Sequence, residues 1–229
     1  MTAHNDAGCT LALFSSCCSA QIFRMTQRGF STRLKAGDAV FLRPIGPQDR
    51  AREVDIISKF SEHSRYLRFF SGAPTLPDAV IDQLVAVDGY NHIAWGALDL
   101  NVAGAPLMGV VRAVRRGQSD EADLAMGVLD EHHGKGLARL LMAAVVHDAI
   151  AAGITRFTAE MLAENAPARK LFQANGGKAA GRDGNVISFR FDAREVATRL
   201  SELGAGEAMD DLREALAVHP LPRRRTAVA

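Results

Sequence analysis

Between residues 121 and 152 the hydrophobic period changes from two to about three and a half, and the change falls on a pair of glycines. Glu121, Asp123, Ala125 and Gly127 alternate with Ala122, Leu124, Met126 and Val128, which is the signature of a strand. Leu137, Leu140, Leu141, Ala144 and Val145 then form one stripe of a helix over residues 137–152, with Gly153 as its stop signal. Joining the two is Asp130-Glu131-His132-His133-Gly134-Lys135-Gly136-Leu137-Ala138. Its glycines let backbone approach a ligand closely, and the unpaired amides at a helix start favour phosphate oxygens. Lys135 adds a positive charge at the mouth. The loop therefore reads as a pyrophosphate cradle, although a tight strand-to-helix turn that binds nothing needs the same two glycines.

The choice of phosphate ligand is narrowed by spacing. Gly134-Lys135-Gly136 lacks the four-residue spacer and the Ser/Thr of a Walker loop. A dinucleotide fold would use Gly134-x-Gly136 and a ribose-binding acid such as Glu160, but its third glycine position holds the bulky Arg139. That rival also needs more strand–helix–strand units than the chain offers.

The 27 Lys and Arg against 26 Asp and Glu leave a formal net charge of +1, with 48% hydrophobic residues. Such a balance argues against a disordered chain and against a strongly basic nucleic-acid binder. All three cysteines, Cys9, Cys17 and Cys18, precede residue 25, so the body has no disulfide framework, cysteine zinc site or cysteine nucleophile. His132 and His133 point apart on extended backbone and have no nearby ligand partner, so no metal is expected. No apolar run reaches the roughly 20 residues that cross a bilayer, so no membrane partner is expected. Residues 9–23 are mildly apolar, but the residues before them contain Asp6 and no Lys or Arg, against a signal peptide. Residues 1–38 are read as a disordered leader, with Met25 as a possible true start, and the protein as cytoplasmic. One domain is expected over residues 39–192, followed by a helical and basic tail over 193–229 that reads as a solvated end.

In chain order the domain reads strand (39–45), a helical stretch carrying Val54, Ile57, Phe60, Tyr66, Leu67 and Phe70, and a second helix over 78–87. Strands at 92–100, 107–114 and 122–129 follow, then the helix, a strand at 154–161, a helix at 167–175, and paired strands at 178–180 and 186–191. Short connections imply antiparallel neighbours, and the one strand–helix–strand unit implies a parallel crossover. The expected fold class is α/β (α+β), with a mixed, mostly antiparallel central sheet and helices on both faces.

The motifs resemble those of the GNAT superfamily of acyl-CoA-dependent N-acyltransferases. The superfamily's loop is Gln/Arg-x-x-Gly-x-Gly/Ala, matched from His133 to Ala138 except at His133 itself. A second element, an Asn leading a helix, is matched by Asn165-Ala166-Pro167-Ala168-Arg169-Lys170-Leu171-Phe172. Leu42-Arg43-Pro44-Ile45, Ser64-Arg65-Tyr66-Leu67-Arg68-Phe69-Phe70, residues 88–94 and Met161-Leu162-Ala163-Glu164-Asn165 are similar to the Pat-type protein lysine acetyltransferases of bacteria. The resemblance implies acetyl-CoA as co-substrate and a lysine of a protein partner, such as an acyl-CoA synthetase, as acceptor. It implies acyl-CoA contacts from Val128, Leu129, His133, Gly134, Lys135, Gly136, Leu137, Ala138 and Asn165, the last of which could equally be a helix N-cap.

Acylating an amine requires removing its proton, bringing it within about 3–3.5 Å of the thioester carbon, and offering a donor to the developing oxyanion. The family's glutamate base on the strand before the loop is matched by Asp123, one methylene shorter, with Glu121 on the same face as its assistant. Strand-face carboxylates that simply meet solvent remain the alternative for this pair. The family's thiolate-protonating Tyr is matched by Phe172, which has no proton to give. Two other functions stay open: a small-molecule amine acetyltransferase, and an acyl-CoA-binding regulatory module without catalysis.

Overall fold

A computed structural model describes residues 28–35, 37–203 and 206–218. The hairpin of β1 (Phe30–Arg33) and β2 (Ala39–Pro44) leads into α1 (Arg50–Lys59), α2 (Glu62–Phe69) and α3 (Asp78–Val85). Three strands follow, β3 (His92–Asp99), β4 (Leu107–Arg115) and β5 (Glu121–Val128), then α4 (Leu137–Ala151) and β6 (Arg156–Leu162). The chain continues through α5 (Ala166–Ala174), β7 (Lys178–Asp183), β8 (Val186–Asp192), α6 (Ala193–Leu203) and α7 (Glu207–Val218). The strands form one sheet in the order β1-β2-β3-β4-β5-β6-β8-β7. Every neighbouring pair is antiparallel except β5 and β6, the strands joined through α4. This is the mixed sheet the sequence predicts.

Two apolar layers clothe the sheet. One joins Val111, Ala122, Leu124 and Phe157 to Leu141, Val145 and Ala149 of α4 and to Val196 and Leu200 of α6. The other packs Ile56 and Ile57 of α1, Phe60 just after it and Ile81 of α3 on Ala94, Leu98 and Val110. Because the side chains of β5 alternate, Leu124 faces the first layer while Gly127 lies under Phe60, where a Cβ would come within 2.8 Å of the ring.

Three expectations change. The helical stretch after β2 is two helices rather than one. Phe60 leaves the helical region at ψ 141°, and the Ser61 side chain accepts from the Ser64 amide to start α2 afresh. The part of the expected leader that is described, from Arg28 onward, belongs to the fold, with β1 paired to β2 from Phe30↔Leu42 to Arg33↔Ala39. Its anchor is an ion pair: both terminal nitrogens of Arg28 donate to the buried Asp148 of α4 at 2.8 and 2.9 Å, and Trp95 Nε1 donates to the same carboxylate at 2.8 Å. Burial pushes the Asp148 carboxyl up, but hydrogen bonds from His147, Arg28 and Trp95 outweigh that and hold it below the ordinary value. Finally, the tail through residue 218 is not a solvated end. Met209, Leu212 and Leu216 of α7 are buried in the first layer, each worth roughly 1.5–3 kcal/mol relative to exposure. The start at Met25, the three cysteines and the arginines after residue 220 lie outside the described residues. Among the described residues no helix is long and apolar enough to cross a membrane.

Candidate active site

The parallel pairing of β5 with β6 stops almost as soon as it begins. Glu121, Ala122 and Asp123 pair with Arg156, Phe157 and Thr158, and no register continues beyond. On its other side β5 stays paired with β4 as far as Val128↔Gly109. One edge of β5 is therefore unpaired from Leu124 to Val128. In an antiparallel ladder peptide groups alternate sides. The Glu121 carbonyl accepts from Arg116 and the Leu129 amide donates to Met108, so odd-numbered groups face β4. Those of Leu124, Met126 and Val128 face the gap, a cleft of about 460 Å³.

The gap opens onto the glycine loop. Gly134 and Gly136 adopt φ +75° and +88°, and a Cβ on either would meet nothing within 4 Å. Their conformation thus calls for glycine, while the space around them stays open for a ligand. Gly136 is the N-cap of α4, no side chain caps that end, and the Leu140 amide donates to the Gly136 carbonyl as the helix begins. The amides of Leu137, Ala138 and Arg139 thus meet the cleft together with the positive end of the helix dipole. A backbone cradle of this kind fits the diphosphate of a coenzyme.

The expected coenzyme contacts divide. Val128, His133, Gly134, Gly136, Leu137, Ala138 and Asn165 line the cleft. His133 Nε2 lies 2.8 Å from the Val128 carbonyl, so its ring proton on that nitrogen closes the open strand edge where the loop begins. Asn165 is also the N-cap of α5, its Oδ1 accepting from the Ala168 amide at 3.1 Å. Leu129 is absent from that lining: its side chain is buried under α1 and its amide donates to Met108. Lys135 is not a free charge at the mouth. Its Nζ is held at 2.8 Å by Asp38, which the β1–β2 turn brings alongside, and this ammonium keeps the Asp38 carboxyl below its ordinary value. Lys135 lines a neighbouring hollow of about 360 Å³ with Arg33 and Glu207, and Lys35 and Arg139 line both spaces.

Asp123 and Glu121 sit below the cleft rather than in it, whose β5 lining starts at Leu124. Arg116 Nε at 2.8 Å and Thr158 Oγ1 at 2.6 Å both donate to Asp123 Oδ1, and Glu121 is paired with Arg156 Nε at 2.8 Å. Phe172 is buried as a core ring, edge-on to Phe191 at 5.1 Å, and one side of it reaches the cleft.

Sequence reasoning did not assign to this cleft the residues that enter it from elsewhere. Glu160 of β6 is exposed in it, and Arg68 and Ser64 of α2 face it from above. Arg68 stacks its guanidinium on Phe69 at 4.9 Å. Burial and the Arg112 guanidinium push it down to about 10, so it stays charged at neutral pH. The signal for Glu160 was available: Thr158 and Glu160 alternate with Phe157, Ala159 and Met161, which marks a strand with one polar face.

Residues 63–176 match the Acetyltransferase (GNAT) family. The Acetyltransferase Pat of Mycolicibacterium smegmatis is 31% identical over 80% of this chain and 54% of its own length. The chain thus spans little more than half the length of the curated relatives it matches. Among solved structures, the GNAT domain of S. lividans PAT superposes with a TM-score of 0.66 at 28% identity, covering 72% of this chain and 97% of that one. The fold likeness extends to Mycobacterium smegmatis RimJ, solved in complex with CoA-disulfide, with a TM-score of 0.57 at 19% identity, covering 78% and 95%. The split strand pair, the amide-lined loop and these likenesses together place the chain in the GNAT acetyltransferase family.

Proposed function

We propose that the protein transfers the acetyl group of acetyl-CoA to an amine, and that the amine is a lysine side chain of a protein partner. The observation that carries this reading is the continuity of the cleft. An unpaired strand edge, suited to the amides of a pantetheine arm, runs straight into the amide-lined start of α4, suited to a diphosphate. When bound there, the coenzyme supplies the activated acyl group. The chain's own part is to hold it extended, with the Met126 and Val128 peptide groups along the arm and residues 134–138 around the phosphates. An amide of β5 facing the gap serves as the oxyanion donor, a role worth roughly 10²–10³ in rate.

The thiolate leaves without a tyrosine, because Phe172 holds that position, and solvent in the open cleft protonates it. The lysine acceptor is supported by the Pat-type strings from Ser64 to Phe70 and from Met161 to Asn165. An acyl-CoA synthetase is the partner class that this resemblance suggests. Calorimetric titration with acetyl-CoA, together with thiol release in the presence of a bacterial protein extract and radiolabelled acetyl-CoA, tests both halves. Heat, coenzyme release and label on protein bands are expected. Label on added polyamines alone would replace the protein acceptor with a small amine, and binding without thiol release would reduce the protein to a coenzyme-binding module.

A further inference from the structure

We infer that Glu160, and not the carboxylates at the start of β5, takes the proton from the attacking amine. The inference rests on the acetyltransferase reading and deepens it at the acceptor end of the same cleft. Asp123 is beside Thr158 in the parallel register, and its carboxylate accepts the Thr158 hydroxyl, so the two share a face of the sheet. Two residues further along both strands, that face carries Ala125 on β5 and Glu160 on β6. Arg112 lies directly across β4 from Ala125. Arg112, Ala125 and Glu160 thus form a rank across the sheet where β5 and β6 part. The small side chain at its middle leaves space over the open strand edge, and α2 packs against β6 above it.

The two carboxylates differ in what they already hold. The donors from Arg116 and Thr158 converge on Asp123 Oδ1 and hold that carboxylate at the start of β5, outside the lining of the cleft. Glu160 makes no hydrogen bond or ion pair among the described residues, and its side chain lines the cleft. The charged and titratable groups around it are Arg116 and Asp123 from the strands on one side, Arg190 of β8 on the other, Arg68 of α2 above and His133 across the gap. The negative charges of Asp123, Glu121 and Glu160 all favour the charged form of Arg116, that of Asp123 most.

In the step proposed, the ammonium of the acceptor gives one proton to the Glu160 carboxylate, which later returns it to solvent. The neutral nitrogen forms the C–N bond to the acetyl carbon as the C–S bond breaks. The nitrogen's second proton leaves to solvent, and the coenzyme departs as a thiolate that water protonates. Atoms balance as amine plus thioester giving amide plus thiol.

The test compares the full chain with Glu160→Gln and Asp123→Asn, using Nα-acetyl-lysine amide as acceptor and acetyl-CoA affinity from calorimetry. Glu160→Gln is expected to lower kcat by about 10²–10⁴-fold and to remove the carboxylate's limb from the pH profile, with acetyl-CoA affinity within about twofold. Glu160→Asp should restore part of the rate, and Asp123→Asn should cost about tenfold or less. A Glu160→Gln enzyme within about threefold of the parent, or an unchanged pH limb, overturns the assignment and leaves the acetyltransferase reading intact. So does a parent that binds acetyl-CoA and acetylates protein lysines yet depends on Asp123 alone. A parent that gives no heat with acetyl-CoA sinks the underlying reading instead.

Discussion

The two ends of the cleft are built by different means. At the loop end the contacts are peptide groups: the unpaired edge of β5, two glycines at positive φ and the first amides of α4. At the other end they are side chains, Glu160, Arg68 and Ser64, delivered by β6 and α2 from positions far apart in the chain. Backbone recognition is set by local conformation, so substitutions there act through glycine geometry. Side-chain recognition is set by register, so substitutions there act through single charges. A coenzyme shared by many reactions suits the first, and an acceptor that has to be selected suits the second.

The contrast can be broken at its common foundation, where the largest effect is expected. Asp148→Asn leaves Arg28 buried without its anion and should cost about 3–5 kcal/mol of stability, read by denaturant unfolding, with acetyl-CoA affinity of the folded protein kept. Because the folded carboxyl titrates below its ordinary value, its contribution is present above that value and fades as pH falls through the folded one. The parent's melting temperature should therefore fall more steeply than the variant's on acidification below about pH 4. Next comes the loop. Gly136→Val should weaken acetyl-CoA at least about 100-fold, or about 2.7 kcal/mol, by forcing a β-branched residue to φ +88° and filling the cradle. Gly184→Val, which also sits at positive φ but at the tip of the β7–β8 hairpin, should lose stability and leave the affinity alone. Smaller still, Asn165→Ala should cost about 1 kcal/mol of stability through the lost N-cap of α5, with a modest loss in coenzyme binding. Smallest is Lys135→Ala, expected to change acetyl-CoA affinity by about twofold or less because Asp38 already holds that charge. A tenfold loss there would return Lys135 to the phosphates and blur the distinction between a backbone cradle and a charged one.

The same contrast explains what could be read in advance. The switch of period across Gly134 and Gly136, the stripe of α4 and the Asn165 cap are local signals, and the structure keeps each of them. Leu129 lies outside the lining of the cleft because alternation runs on one residue past the strand and turns its amide to Met108. The ion pair of Lys135 was not legible because its partner Asp38 stands 97 residues earlier, in a segment whose short strand is visible only once β2 offers it an edge. Glu160 had a readable polar alternation, but nothing local says that β5 and β6 part company beyond Asp123. Where a strand pair stops depends on what the neighbouring helices wedge apart, which is a property of the assembled sheet.

The most direct test of a backbone-built coenzyme site is amide NMR with hydrogen exchange, comparing the protein alone and saturated with acetyl-CoA. The amides of Met126, Val128, Gly134, Gly136 and Ala138 should shift and exchange more slowly, while that of Leu129, already bonded to Met108, should change little. Saturation that leaves those five untouched, or moves only residues of the hollow beside Arg33 and Glu207, would contradict the account.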